Sequence, residues 1–207
     1  MVSRQSKEES SRAFIANSIE RDGMVTSVVG TFTSKLDEID VAVSQIERGE
    51  LAETIDRVVR TPAVGVPVDV DGGSLPDVVE VEPTVDDVRA ARTGVTPATL
   101  GIAEYGSVVL EADPFGSEVA SLFPELHVAV LRESDVVGEM REAFEWLGPR
   151  LREDRSSEII ATGPSATADM GGLVRGAHGP EAVHVILLAD RVEETVERGS
   201  ETEVADE

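Results

Sequence analysis

The 207-residue chain carries 41 acidic and 18 basic residues, a net charge of -23, with 41% hydrophobic residues, 3% aromatic residues and no cysteine. A chain of this length fits one domain with extensions, and its apolar share is enough for a sizeable core. The charge argues against binding the phosphate backbone of nucleic acid, and the missing cysteine rules out disulfides, thiolate nucleophiles and cysteine-ligated iron–sulfur clusters within the chain.

Lys7 and Lys35 are the only lysines, beside sixteen arginines. Dense carboxylates with scarce lysine read as a halophilic surface, kept hydrated and soluble in high salt. No apolar run approaches the ~20 residues of a membrane span, and residues 1–10 lack the apolar core of a signal peptide, so a cytoplasmic protein without a membrane span is expected. His127, His178 and His184 are too few and too scattered to predict a metal site.

In chain order, residues 3–21 predict an amphipathic helix with Phe14, Ile15 and Ile19 on one stripe, ended by Gly23. Alone it would be marginal in water, so it needs a core or another subunit to dock on, which leaves a homo-oligomer open. Residues 34–48 carry both signals: 39–43 alternate as a strand, while the flanking charges suit a helix. Residues 50–60 predict a helix with Leu51, Ile55, Val58 and Val59 on one side, stopped by Pro62. A strand interrupted by Gly65 and Pro67 follows, then a turn at 71–74 and a short strand at 78–81. Thr84 caps the next helix, with Asp86 and Asp87 in its first turn. Thr96 before Pro97 reads as an N-cap followed by a first-turn proline and predicts a short helix. A break at 104–107 precedes a buried strand at 108–110. Residues 116–122 predict a helix and 127–131 a strand. Ser134 or Asp135 caps a long helix reaching Glu153, with Val136, Val137, Met140, Phe144 and Leu147 inside and Trp146 packing. Three parts result: a helical extension at 1–50, a domain at 51–192, and an acidic tail at 193–207 expected to be disordered at its end. Strands alternate with helices, so the fold class is α/β, a mostly parallel sheet flanked by helices.

The stretch 157–188 organises the rest. Apolar runs at 159–161 and 183–188 read as buried strands bounded by Gly and Pro. Between them lie Ser165, Thr167, Asp169 and His178, with glycines at 163, 171, 172, 176 and 179. Such a loop, with its backbone N–H groups and a following helix start, would favour a small carboxylate or phosphate-bearing ligand. Loops after neighbouring parallel strands converge on one edge, so Glu104, Ser165 and His178 are expected to line a common cavity there. Glu104 is the only charge between Arg92 and Glu111 and reads either as a ligand-facing carboxylate or as one paired with an arginine or capping a turn. His184, inside an apolar strand, weighs toward a satisfied core residue, His178 toward a ligand group, and His127 equally toward both.

No phosphate-binding P-loop, dinucleotide fingerprint or G-x-S-x-G elbow is present. Four segments carry a resemblance: G-V-T-P-A-T-L-G-I-A-E-Y-G-S-V-V-L, L-F-P-E-L-H-V-A-V, A-T-G-P-S-A-T-A-D-M and G-A-H-G-P-E-A-V-H-V-I-L-L. Over about residues 63–189, and in this order, they resemble the LUD-domain family, of the lactate utilization protein C type. The resemblance implies an α/β sandwich of the NagB/RpiA/CoA-transferase-like superfamily. It also implies a role beside two partner proteins in oxidising L-lactate to pyruvate, with iron–sulfur clusters on a partner. The chain departs from the family pattern at Ala166, where arginine is usual, near Gly171, where an acidic residue is usual, and at Tyr105, where threonine is usual. Replacing that arginine removes a bidentate anion clamp.

The expected site therefore has Glu104 and His178 as catalytic groups. Thr96, Tyr105, Gly106, Ser107, Gly163, Pro164, Ser165, Thr167, Asp169, Gly179 and His184 are its ligand-binding groups. No cofactor is evident in this chain, and the oxidation of lactate moves two electrons, so a carrier is expected on an iron–sulfur partner. The chain then reads as a ligand-binding subunit of a lactate-oxidising complex. The alternative is a stand-alone CoA-transferase- or isomerase-like enzyme using Glu104 as nucleophile or base, since A-E-Y-G resembles the glutamate-bearing turn of CoA-transferases.

Overall fold

A computed structural model describes residues 27–68, 74–153, 157–169 and 172–189. The helix expected at 3–21, most of the turn at 71–74 and the acidic tail lie outside the described residues. The elements in chain order are α1 (Val28–Glu38), β1 (Ala42–Ile46), a 3₁₀ turn at Arg48–Glu50, α2 (Leu51–Val58), β2 (Ala63–Gly65), β3 (Val79–Val81), α3 (Val85–Ala90), β4 (Thr93–Pro97), β5 (Leu100–Ile102) and β6 (Ser107–Glu111). They continue with α4 (Ser117–Leu122), β7 (Leu126–Arg132), a 3₁₀ turn at Glu133–Asp135, β8 (Val136–Val137), α5 (Met140–Glu153), β9 (Glu158–Thr162), β10 (Ala166–Asp169), β11 (Gly172–Arg175) and β12 (Ala182–Leu188).

The apolar run Ala182–Leu188 forms a strand because both of its faces are covered. Strand β12 lies between β1 and β7 in a six-stranded sheet of order β1-β12-β7-β4-β2-β3, parallel at every pairing. Its alternate residues enter two cores, as the two-residue period of a strand requires. Val183, Val185 and Leu187 join Ala129, Leu131, Phe32, Leu36, Val108 and Leu110 on one face. Ile186 and Leu188 join Val128, Val130, Leu51 and Ile55 on the other. Residues 28–46, read from sequence as part of a helical extension, supply α1 and edge strand β1 to this core. Ser27 caps α1 by accepting from Gly30 N at 3.0 Å.

A second sheet, β8-β5-β6-β9, packs on the first of these cores, and β10-β11 form a separate hairpin. Three expectations are corrected here. Thr96-Pro97 does not open a helix. Thr93–Pro97 is strand β4, paired with both β2 and β7, and two ladders outweigh a local capping pattern. Ser134 and Asp135 do not cap the long helix either. Val136 and Val137 are buried in β8, and the helix begins at Met140, with Glu142 Oε2 accepting from Gly138 N at 2.8 Å. Strand β9 is not part of the parallel sheet. It is the antiparallel edge strand beside β6, and Ile160 is correspondingly 36% exposed. Thr84 does cap α3, in a reciprocal capping box with Asp87 whose hydrogen bonds hold the Asp87 carboxyl below its usual range.

Candidate functional site

Between the parallel sheet and the second sheet lies a cavity of about 460 Å³. That falls within the roughly 300–1,000 Å³ of small-molecule sites. Its floor is Val183 and Val185 of β12 with His127 of β7, and its walls are Val108 and Leu110 of β6, residues 159–162 of β9, Leu36 and Val41, and Ser121 and Leu122 of α4. Residues 163–167 and 178–180 close one side. His127 is the second residue of β7 and Val183 the second of β12. The cavity therefore sits over the amino-terminal halves of these strands, not at the carboxyl edge expected for a parallel sheet. The cause is topological: residues 163–180 lead into β12 and reach its beginning.

The segment expected to cradle an anion is a hairpin, with no helix start after it. Ala166 pairs with Arg175 and Asp169 with Gly172. The hairpin base is closed on itself. Ser165 N donates to Pro180 O at 2.8 Å, Gly176 N donates to Ser165 O at 3.0 Å, and His178 N donates to Ser165 Oγ at 3.3 Å. A Cβ on Gly179 would stand 3.2 Å from Ser165 Cβ, so glycine there allows the two ends of the base to touch. Arg175 ties the hairpin to Asp40 at 2.6 Å.

Of the residues expected at the site, Gly106, Gly163, Pro164, Ser165, Thr167, His178 and Gly179 line this cavity. His178 is exposed at its outer end. Asp169 ends β10 opposite Gly172. Four others are placed one step behind the wall or away from it. Thr96 is fully buried and its hydroxyl meets His127 Nε2 at 2.9 Å. Ser107 is buried and bonded to Thr162 Oγ1 at 2.7 Å. Tyr105 is 45% exposed and is not a wall residue. His184 is corrected most plainly. It alternates with Val183 and Val185 and so faces the opposite side of the sheet, where its Nε2 meets Ser44 Oγ at 2.8 Å. Burial lowers its pKa.

Glu104 does not join Ser165 and His178. Its Oε2 accepts from Met140 N at 3.1 Å, so the carboxylate satisfies the first turn of α5, which is the turn-capping alternative for this residue. Ser121 and Leu122 carry no sequence signal of a site, and His127, evenly weighed from sequence, is on the wall. Strand alternation places His127 on the face of Ala129 and Leu131, but no sequence signal tells which face of a two-sided sheet holds a cavity. His127 is 2% exposed, and burial pushes its pKa down to about 4, so the imidazole is neutral at pH 7. Among the described residues no three His, Asp or Glu side chains converge as a metal site, and no helix is long and apolar enough to cross a membrane.

Comparison with known proteins places this architecture. Residues 2–188 match the LUD domain. Lactate utilization protein C of Deinococcus radiodurans is 33% identical over 117 residues, 54% of this chain and 54% of that protein. The Bacillus subtilis protein of the same name is 31% identical over 137 residues, 63% of this chain and 54% of that one. The Macrococcus caseolyticus protein of that name is 25% identical over 171 residues, 80% and 73% of the two chains. In most of these pairings the chain spans about half the length of the curated relative it matches. The crystal structure of a DUF162 family protein from Deinococcus radiodurans has the same fold, with a TM-score of 0.61 at 20% identity over 78% of this chain and 96% of that one. The chain belongs to the LUD-domain family.

Proposed function

We propose that the chain is the ligand-binding component of an L-lactate utilisation system in which iron–sulfur subunits take the electrons of lactate oxidation. The observation that carries this reading is the match of residues 2–188 to the LUD domain, joined by relatives named lactate utilization protein C. The segments that carry the resemblance are also those that wall the cavity. Oxidation of lactate to pyruvate removes two electrons and two protons. With no cysteine, the chain offers no thiolate to hold a cluster. Its contribution is a shaped, largely apolar cavity with hydroxyls and imidazoles placed along it. His178 is the exposed imidazole on the wall.

The test is lactate-dependent dye reduction by the purified chain, alone and with candidate iron–sulfur subunits. Turnover is expected only with the partners. Robust turnover by the isolated chain without added cofactor refutes the assignment.

A further inference from the structure

We infer that the cavity takes an uncharged, largely apolar organic molecule carrying a carbonyl oxygen, and that His127 holds that oxygen from the buried end through its Nδ1–H. The inference rests on the cavity being the ligand site of the proposed function, but not on lactate being the molecule oxidised.

The first argument is what the wall lacks. Among the described residues that line the cavity there is no lysine, arginine, aspartate or glutamate. An ion taken into an apolar site without a paired charge loses more hydration than it regains. Arg175, on the hairpin, is already paired with Asp40 at 2.6 Å. Three backbone donors at the hairpin base are committed within the base itself. The N–H groups of Ser165, Gly176 and His178, which an anion-cradling loop would present, are spent on Pro180 O, Ser165 O and Ser165 Oγ. The chain's net charge of -23 adds a repelling field.

The second argument is the direction of one hydrogen bond. Thr96 Oγ1 and His127 Nε2 lie 2.9 Å apart, both side chains buried. Among the described residues the Thr96 hydroxyl has no other acceptor. If Nε2 carried the proton, the hydroxyl hydrogen would be buried without a partner, which costs roughly 1–3 kcal/mol. With Thr96 donating to Nε2 the buried hydroxyl hydrogen is satisfied, and the one donor left over is on the ring that lines the cavity. Nδ1 then carries the proton. His127 lines the cavity, and Nδ1 has no acceptor among the described residues, so its N–H is offered to the occupant. Neutral at pH 7, the imidazole suits a carbonyl better than a carboxylate. Val108, Leu110, Val183 and Val185 surround the rest of the molecule, and Leu122, 37% exposed, continues the apolar wall to the surface.

Isothermal titration of the whole chain with menadione, an uncharged naphthoquinone, is compared with L-lactate, pyruvate and inorganic phosphate. The chain has no cysteine for the quinone to arylate. Saturable binding of menadione alone is expected, weakened about fivefold to tenfold in His127→Leu, the span of one buried hydrogen bond. Ala161→Leu fills the cavity from edge strand β9 and should abolish binding while the circular dichroism spectrum is kept. Histidine ¹⁵N spectra of the free protein at pH 7 should show the Nδ1–H form for His127. The Nε2–H form, or menadione binding unaffected by Ala161→Leu, overturns the inference. Binding of the anions with menadione inert overturns it while leaving a ligand-binding subunit. No binding by any probe overturns both the inference and the cavity's role as a ligand site. The dye-reduction assay tests the lactate role separately.

Discussion

Gly94→Ala is the substitution for which the structure gives the sharpest expectation. Gly94 is buried in β4, between its partners Val64 of β2 and His127 of β7. A Cβ built there would stand 1.7 Å from Ala120 O and 2.8 Å from Ala120 C, both backbone atoms of α4. Ordinary contact begins near 3.4 Å, so the helix must retreat by well over an ångström or the strand must leave its ladder. Neither neighbour is a flexible side-chain tip that could swing away. Overpacking a filled core costs about 1–3 kcal/mol, and a backbone obstacle puts this site at the top of that range or above it. For a chain of this size each kcal/mol moves Tm by about 2–4 °C, so a fall of about 6–12 °C is expected by circular dichroism. Because α4 carries Ser121 and Leu122 of the cavity wall, ligand binding should weaken in the folded fraction as well. Gly49→Ala is the control, since a Cβ there meets nothing within 4 Å. A Gly94→Ala protein melting within about 2 °C of the parent would show that α4 is not seated on β4 as described.

Three further expectations follow from charge. The His127 pKa falls from 6.5 to about 4 on folding, so between those values the unfolded chain binds a proton that the native chain does not. Stability is then lost as pH drops from about 6.5 toward 4, by about 3 kcal/mol from this residue. Urea titrations across that window should show a shallower slope in His127→Leu, and an unchanged slope contradicts the assignment. Glu104→Ala should cost about 1 kcal/mol by uncapping α5, whereas Glu104→Gln keeps an acceptor for Met140 N and should melt like the parent. A loss of lactate-system activity in Glu104→Gln at unchanged stability would restore the transferase-like reading. With a net charge of -23, thermal stability should rise with KCl into the molar range as screening relieves repulsion, and a flat salt response contradicts a halophilic surface.

What the chain revealed of its fold beforehand was mostly what local chemistry decides. The cap at Thr84, the apolar face of α2 and the strand at 183–188 are legible because period and caps agree there. Thr96-Pro97 misled because an N-cap pattern is worth about 1 kcal/mol, while residues 93–97 gain ladders on both sides. Residues of the Gly-rich stretch at 163–180 line one side of the cavity, and its glycines are explained there by packing. Its glycines allow close packing: a Cβ on Gly179 would press at 3.2 Å on Ser165, and one on Gly176 would strike the Glu181 side chain. That density lets the hairpin base close over the wall; it does not free backbone N–H groups for an anion. His127 could not be assigned from sequence because both faces of β7 are apolar, and only the placement of β6 and β9 decides which face keeps a void.

The wall residue Ala166 offers the most direct way to reverse the cavity's chemistry. It opens β10 opposite Arg175, is exposed, and lines the cavity. It is also the position where the resemblance to the LUD-domain pattern has arginine. An arginine there can keep its stem along the wall and its guanidinium in water at the rim, so the substitution need not bury a charge. It would supply the bidentate donor that the described lining lacks. A hydrogen bond to a charged group contributes about 1.5–3 kcal/mol. Ala166→Arg should therefore raise the affinity for L-lactate or phosphate by roughly tenfold or more, with a gain that shrinks as salt screens an exposed pair. Binding of an uncharged carbonyl compound should change little, because His127 and the apolar floor lie at the other end of the cavity. Calorimetry at low and high salt reads both effects. If the arginine leaves anion affinity unchanged, the missing cation is not what sets the ligand, and the closed hairpin base must be excluding anions by itself.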